Sequence, residues 1–224
     1  MAHECDMRLT LQVIADNRNR LTGALMAIER LNKTQWLRRQ YRYERNILEV
    51  FSRATASDIV DGIAWYPYAS QTLATIAPDW TVEKRAAVCA ILSPRVTWKE
   101  NITGFGKLHK AASLTNRIPP VMAGLNRNIA KAHDVALDAR GIDAVSGPKV
   151  SCFYANLSGD LDRVTLDVWA GRAAGLTEDE TDKGVRGKRY EYLEKAYIRV
   201  ARELGFKPAE LQAICWIVVR GKGE

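Results

Sequence analysis

GIDAVSGPKVSCFYANLSGDLDRVTLDVWAGRAAG, residues 141–175, reads as helix end, tight turn, helix, polar turn, helix. Ser146-Gly147-Pro148 is turn chemistry, because Gly supplies an open backbone angle and Pro presets the first residue of a following helix. Lys149 therefore falls in the first helical turn. From Val150 to Leu157 apolar residues recur at helical spacing, Ser158-Gly159-Asp160 breaks the pattern, and a second apolar run extends from Val164 to Ala174. That run puts Asp167 early in a second helix. If the intervening loop doubles back, the starts of the two helices bring Lys149 and Asp167 to one cleft. The plainer alternative is a salt-bridged surface pair, or a charge at a helix start.

Outward from this stretch, 224 residues are enough for a buried core in one domain or in one domain with two lobes. Lys and Arg total 33 against 26 acidic residues, a net charge of +7, which favours a polyanionic partner through steering and counterion release. Cys5, Cys89, Cys152 and Cys215 are far apart and form no CxxC or Cys/His cluster, so the sequence indicates neither zinc nor an iron-sulfur centre. They read as buried free thiols in a reducing compartment. The opening MAHECDMRLT has no sustained apolar core, and no run reaches membrane-spanning length. The expectation is a cytoplasmic monomer, in the host's cytoplasm if the chain is viral.

Residues 7–53 read as helical. Arg38, Arg39, Arg42, Arg45 and Arg53 interleave there with Trp36, Tyr41 and Tyr43, which suits either a DNA-facing helix or a solvated face. Asp58 is expected to cap the next helix and Pro67 to interrupt it. Trp65, Tyr66 and Tyr68 around that Pro suit an aromatic wall for an extruded base, or ordinary core packing. Thr81 caps a third helix, whose apolar run Ala86 to Leu92 ends at Ser93-Pro94. Residues 102–124 hold two glycines and two prolines and read as a connector with at most short helices, Gly104-Phe105-Gly106 being a turn. His109 and His133 lack metal spacing and read as surface or capping residues. Residues 177–189 form a charged loop. A helix follows from Tyr190 to Leu204, stopped by Gly205, and Pro208 opens the last one.

Gly147-Pro148-Lys149, with Asp167 eighteen residues after the Lys and Arg172 five after the Asp, resembles the helix-hairpin-helix DNA glycosylase superfamily of base-excision repair, especially its endonuclease III-like members. The likeness covers roughly residues 86–221. It implies an all-α, two-lobed fold with a DNA cleft between the lobes. A central helical barrel with the hairpin would span 86–175, and residues 1–85 with 176–224 would make the second lobe. Carried over by position, Lys149 would be the nucleophilic amine and Asp167 the catalytic carboxylate. Gly147 would hold a backbone phosphate, the hairpin being one that can also take a monovalent or divalent cation, and Arg172 would face DNA.

AVCAILSPRVTWKEN resembles the family's first barrel helix and the loop that fills the gap left by a flipped nucleotide, which implies that role for Arg95, with Ser93 and Thr97 nearby. Asn101 would start or brace the following helix. Two positions depart from the family pattern. Val145 replaces a hairpin Gly, and Trp169 replaces a His and implies an altered base pocket or altered packing. The chain also lacks the four-Cys cluster that some members carry.

The function so implied is a DNA glycosylase, bifunctional with AP-lyase activity, excising a modified or damaged base from double-stranded DNA. Two alternatives remain open. One is a phage-type thymine hypermodification enzyme resembling the α-glutamyl/putrescinyl thymine pyrophosphorylase group; the other is a catalytically inactive DNA-binding module.

Overall fold

The computed structural model describes residues 19–24, 35–182 and 184–221. It is all-helical, with no strand among the described residues. The ten named α-helices are α1 (Gln35–Ser52), α2 (Ala56–Ile76), α3 (Val82–Leu92), α4 (Trp98–Leu114), α5 (Asn126–Ala136), α6 (Pro148–Leu157), α7 (Val168–Ala173), α8 (Glu178–Thr181), α9 (Gly187–Leu204) and α10 (Pro208–Arg220), with a 3-10 turn at Ile142–Ala144. Two units are distinct: Met1–Trp65 with Leu166–Lys222, and Tyr66–Thr165 with Gly223–Glu224. The first 18 residues with Cys5, residues 25–34, and the side chains of Trp36, Arg38 and Arg39 lie outside the described residues. Arg42, Arg45 and Arg53 are exposed.

The unit 66–165 is built on α3. Ala86 to Leu92 are all buried, because a helix with no polar side chain over seven residues has no face to give to water. Small residues at 86, 87 and 90 let α4, α5, α6 and the 3-10 turn pack around it. Thr81 caps its start by accepting from Lys84 N–H, as the sequence leads one to expect. After α6, the buried Asn156 braces the chain: its Nδ2 donates to the carbonyls of Asp160 (2.8 Å) and Arg163 (3.0 Å), and its Oδ1 accepts from Thr165 Oγ1 at 2.6 Å. Asn156→Ala strands those groups, so a loss of about 2–3 kcal/mol is expected, read as a lowered thermal midpoint.

In the other unit, α9 presents Leu193, Ala196, Tyr197, Val200 and Leu204 as one buried stripe. It packs on α1 and α10, and α10 packs on α7. Tyr197, fully buried, donates its hydroxyl to Ala170 O at 3.1 Å, and burial pushes that phenol well above its ordinary value. Gly205, in the left-handed region at φ 77°, ends α9, and Pro208 opens α10.

Five local expectations are corrected. Pro67 lies inside α2 and does not break it. Both it and Ile63, four residues earlier, are exposed, and the Ile63 carbonyl has no Pro N–H to accept from. The cap of α2 is Thr55, with Asp58 in the reciprocal position: Asp58 accepts from Thr55 N–H at 2.8 Å and Asp58 N–H donates to Thr55 Oγ1 at 3.2 Å. Residues 98–114 form one 17-residue helix with Gly104 and Gly106 in its interior, since the Thr97–Glu100 capping box starts it and Phe105, Leu108 and Ala111 bury one face. His133 is buried on α5. Residues 178–181 form a short helix, started by a second capping box at Thr177 and Glu180, where a loop was expected.

Candidate active site

Lys149 enters from the start of α6. Gly147 sits at φ +88° with nothing within 4 Å of an added Cβ, so its backbone angle, and not space, demands glycine. Pro148 follows as the first helical residue, and Lys149 lies in the first turn. Lys131 Nζ donates to Ser146 Oγ at 3.1 Å, adding a second cation beside the turn.

The Lys149 ammonium donates to Ser93 Oγ at 2.7 Å and lies 5.3 Å from the centre of the Phe153 ring, one turn further along α6. Phe153 in turn meets Tyr66 edge-on at 6.3 Å. Ser93 is the C-cap of α3, and one turn earlier on α3 lies Cys89, whose thiol accepts from Asn101 Nδ2 at 3.4 Å. Burial pushes the Cys89 thiol up to about 12, against the smaller opposing pull of Lys149. It is therefore neutral at physiological pH and brings no negative charge to the amine. Asn101 does not start the following helix, which the Thr97–Glu100 box begins; from the first turns of α4 it ties that helix back to Cys89 on α3.

Between Ser93 and Thr97 the chain passes through Arg95, an exposed residue at φ +66°. A non-glycine residue there costs about 1–2 kcal/mol, and backbone strain of this kind concentrates at functional loops. Thr97 is the N-cap of α4: its hydroxyl accepts from Glu100 N–H at 3.2 Å and donates to Glu100 Oε2 at 3.0 Å. The Thr97 donors in turn hold the Glu100 carboxyl below the usual range. Arg95→Gly is expected to raise stability by about 0.5–1 kcal/mol, after glycine's extra unfolded-state entropy, read as a raised thermal midpoint.

Asp167 belongs to the other unit. It is not within a helix, as expected, but is the N-cap of α7, its Oδ1 accepting from Ala170 N–H at 2.8 Å. Residues 164–166 before it are not helical, so the helix begins at Val168 and not at Val164. Two residues on, Trp169 carries the Arg172 guanidinium 4.7 Å from its ring centre and that of Arg220 at 5.8 Å. Arg172 also pairs with Glu178 at 3.0 Å, and Arg220 stacks on Trp216 at 4.8 Å.

Of the two readings of the aromatics around Pro67, packing accounts for two of the three. Trp65 meets Trp216 at 6.1 Å, Tyr66 is buried against Phe153, and Tyr68 is 69% exposed. Consecutive helical residues point about 100° apart, so Trp65 and Tyr66 meet different surroundings. Lys131 and Asn156 carry no motif. The single amide side chain in the run from Val150 to Leu157 was the one signal for Asn156.

No group of three His, Cys, Asp or Glu side chains comes together as metal ligands among the described residues. No described helix is long and apolar enough to cross a membrane. No curated protein and no solved structure matches the chain. Matching its family model over residues 29–223, the chain belongs to DUF7178, a family of unknown function.

Proposed function

We propose that the protein is a DNA glycosylase with an associated lyase step, of the helix-hairpin-helix type, acting on a modified or damaged base in double-stranded DNA. The proposal includes that family's two-lobed arrangement. The observation that carries it is the start of α6: a left-handed Gly147, a helix-opening Pro148, and an amine in the first turn held on Ser93 Oγ at 2.7 Å. That is a built setting for a nucleophile, with Arg95 strained beside it and Lys131 at the turn.

In this chemistry the base is first extruded, at a cost of a few kcal/mol. The Nζ lone pair of Lys149 forms a bond to C1′ while the N-glycosidic bond breaks and its electron pair leaves on the base nitrogen, which takes up a proton. Asp167 supplies the carboxylate that stabilises positive charge developing at the sugar. A proton passes from Nζ to O4′ as the C1′–O4′ bond breaks, and the nitrogen lone pair closes the C=N bond of a Schiff base. Removal of a C2′ proton then expels the 3′ phosphate with its electron pair.

The test incubates the protein with abasic and modified-base duplexes in the presence of borohydride, which reduces a Schiff base to a stable amine. A covalent protein–DNA adduct at Lys149 is expected, with free base released from the modified duplex. No adduct with any substrate overturns the lyase step. A heavier nucleoside in place of free base overturns excision in favour of base modification, and salt-dependent binding without product, unchanged in Asp167→Asn, overturns catalysis altogether.

A further inference from the structure

Ser93 lies beside a loop that the glycosylase reading turns toward DNA, yet its hydroxyl faces inward. The residue is only 8% exposed, and its donor and one of its acceptor lone pairs are engaged within the protein. Oγ lies 2.9 Å from Ala90 O and 2.7 Å from Lys149 Nζ. A carbonyl can only accept, so the single Ser93 proton goes to Ala90 O. Ser93 Oγ is then left as a pure acceptor toward the amine.

We propose that Ser93 is a positioning residue for Lys149: its hydroxyl, locked as an acceptor by Ala90 O, holds one Nζ–H and so sets the direction of the amine lone pair. This rests on the reading of Lys149 as the nucleophile. The lock matters because a serine hydroxyl free to rotate would donate its proton to a neutral amine and tie up the lone pair that must attack. With that proton held by the α3 backbone, the neutral amine still donates to Ser93 and keeps its lone pair in one of the two remaining tetrahedral directions. The Phe153 ring at 5.3 Å bounds the amine on another side. Ser93 itself sits at the end of the most deeply buried helix of its unit, so the acceptor moves little.

The alternative role for Ser93, a direct DNA contact, makes a different forecast. A contact to DNA contributes to affinity, whereas a positioning residue contributes to the rate of bond formation at constant affinity.

The experiment measures duplex affinity and the single-turnover borohydride-trapping rate on an abasic duplex for the wild-type chain, Ser93→Ala, Ser93→Thr and the near-isosteric, weakly accepting Ser93→Cys. Thermal melts report folding. The expected result is a fall in trapping rate of about tenfold in Ser93→Ala and Ser93→Cys, with affinity within about twofold of wild type, and recovery to within about threefold in Ser93→Thr. An unchanged rate, or a fall fully explained by lost affinity, overturns the proposal.

A DNA-independent arm separates this inference from the functional reading. Reductive methylation with formaldehyde and cyanoborohydride, followed by peptide mass spectrometry, gives the labelling rate of Lys149 relative to Lys131. If the wild-type chain traps no DNA, the glycosylase reading falls while this ratio still judges Ser93. A changed ratio in Ser93→Ala upholds its hold on the amine, and an unchanged ratio overturns it.

Discussion

Lys149→Ala is expected to abolish covalent capture of an abasic duplex, a loss of about 10³-fold or more in trapping rate, while leaving the protein folded. The size follows from the proposed role: the step would be a new bond to Nζ, and no other amine on α6 could make it in that place. Folding survives because Lys149 is half-exposed at a helix start, where Gly147 and Pro148 set the turn without its side chain. The bond to Ser93 is lost, but Ser93 keeps its donor partner at Ala90 O. Denaturing gels of borohydride-treated mixtures check the rate, and a melt within a few degrees of wild type checks the fold. Undiminished trapping in this variant would move the nucleophile to another amine and sink the assignment.

Gly62→Ala is expected to destabilise the unit Met1–Trp65 with Leu166–Lys222 by about 2 kcal/mol, lowering the melting midpoint by about 4–8 °C. An added Cβ at residue 62 would lie 2.8 Å from both Cα and N of Ile214 on α10. Backbone cannot swing aside as a side-chain tip can, and Ile214 is fully buried. The helix propensity gained from alanine, about 1 kcal/mol, offsets only part of that clash. Gly106→Ala is the control, because its Cβ would meet Ile76 Cγ2 at an ordinary 3.5 Å. That variant is expected to stabilise by up to about 1 kcal/mol. Calorimetric midpoints moving in the same direction for both would refute the close-approach account.

Much of the candidate site is local, and local features read correctly from the chain. Gly147-Pro148-Lys149 is one turn of backbone chemistry: the open angle, the preset φ and the amine one residue later are contiguous. The capping of α3 by Thr81 and the stop at Gly205 have the same character, since each depends on residues within four positions. Pro67 and Gly104-Phe105-Gly106 misled for the converse reason. Their intrinsic preference is to break a helix, but a capping box and a buried apolar stripe outweigh a cost of about 1 kcal/mol per Gly, and the helix through Pro67 continues despite a cost of about 3.

An all-helical chain, the left-handed turn before α6 and the amine in its first turn were settled by residue types and their spacing, because hydrogen bonding and sterics within one turn of helix determine them. What holds that amine was decided only by tertiary packing. Ser93 and Lys149 are 56 residues apart, and no periodicity links them until α6 packs against α3. The same holds for Asp167, a cap and not an interior helical residue, which follows a non-helical stretch where Thr165 is tied to Asn156 nine residues earlier. Such contacts join groups whose sequence separation carries no information about distance, so only the folded chain could bring them to hydrogen-bonding range.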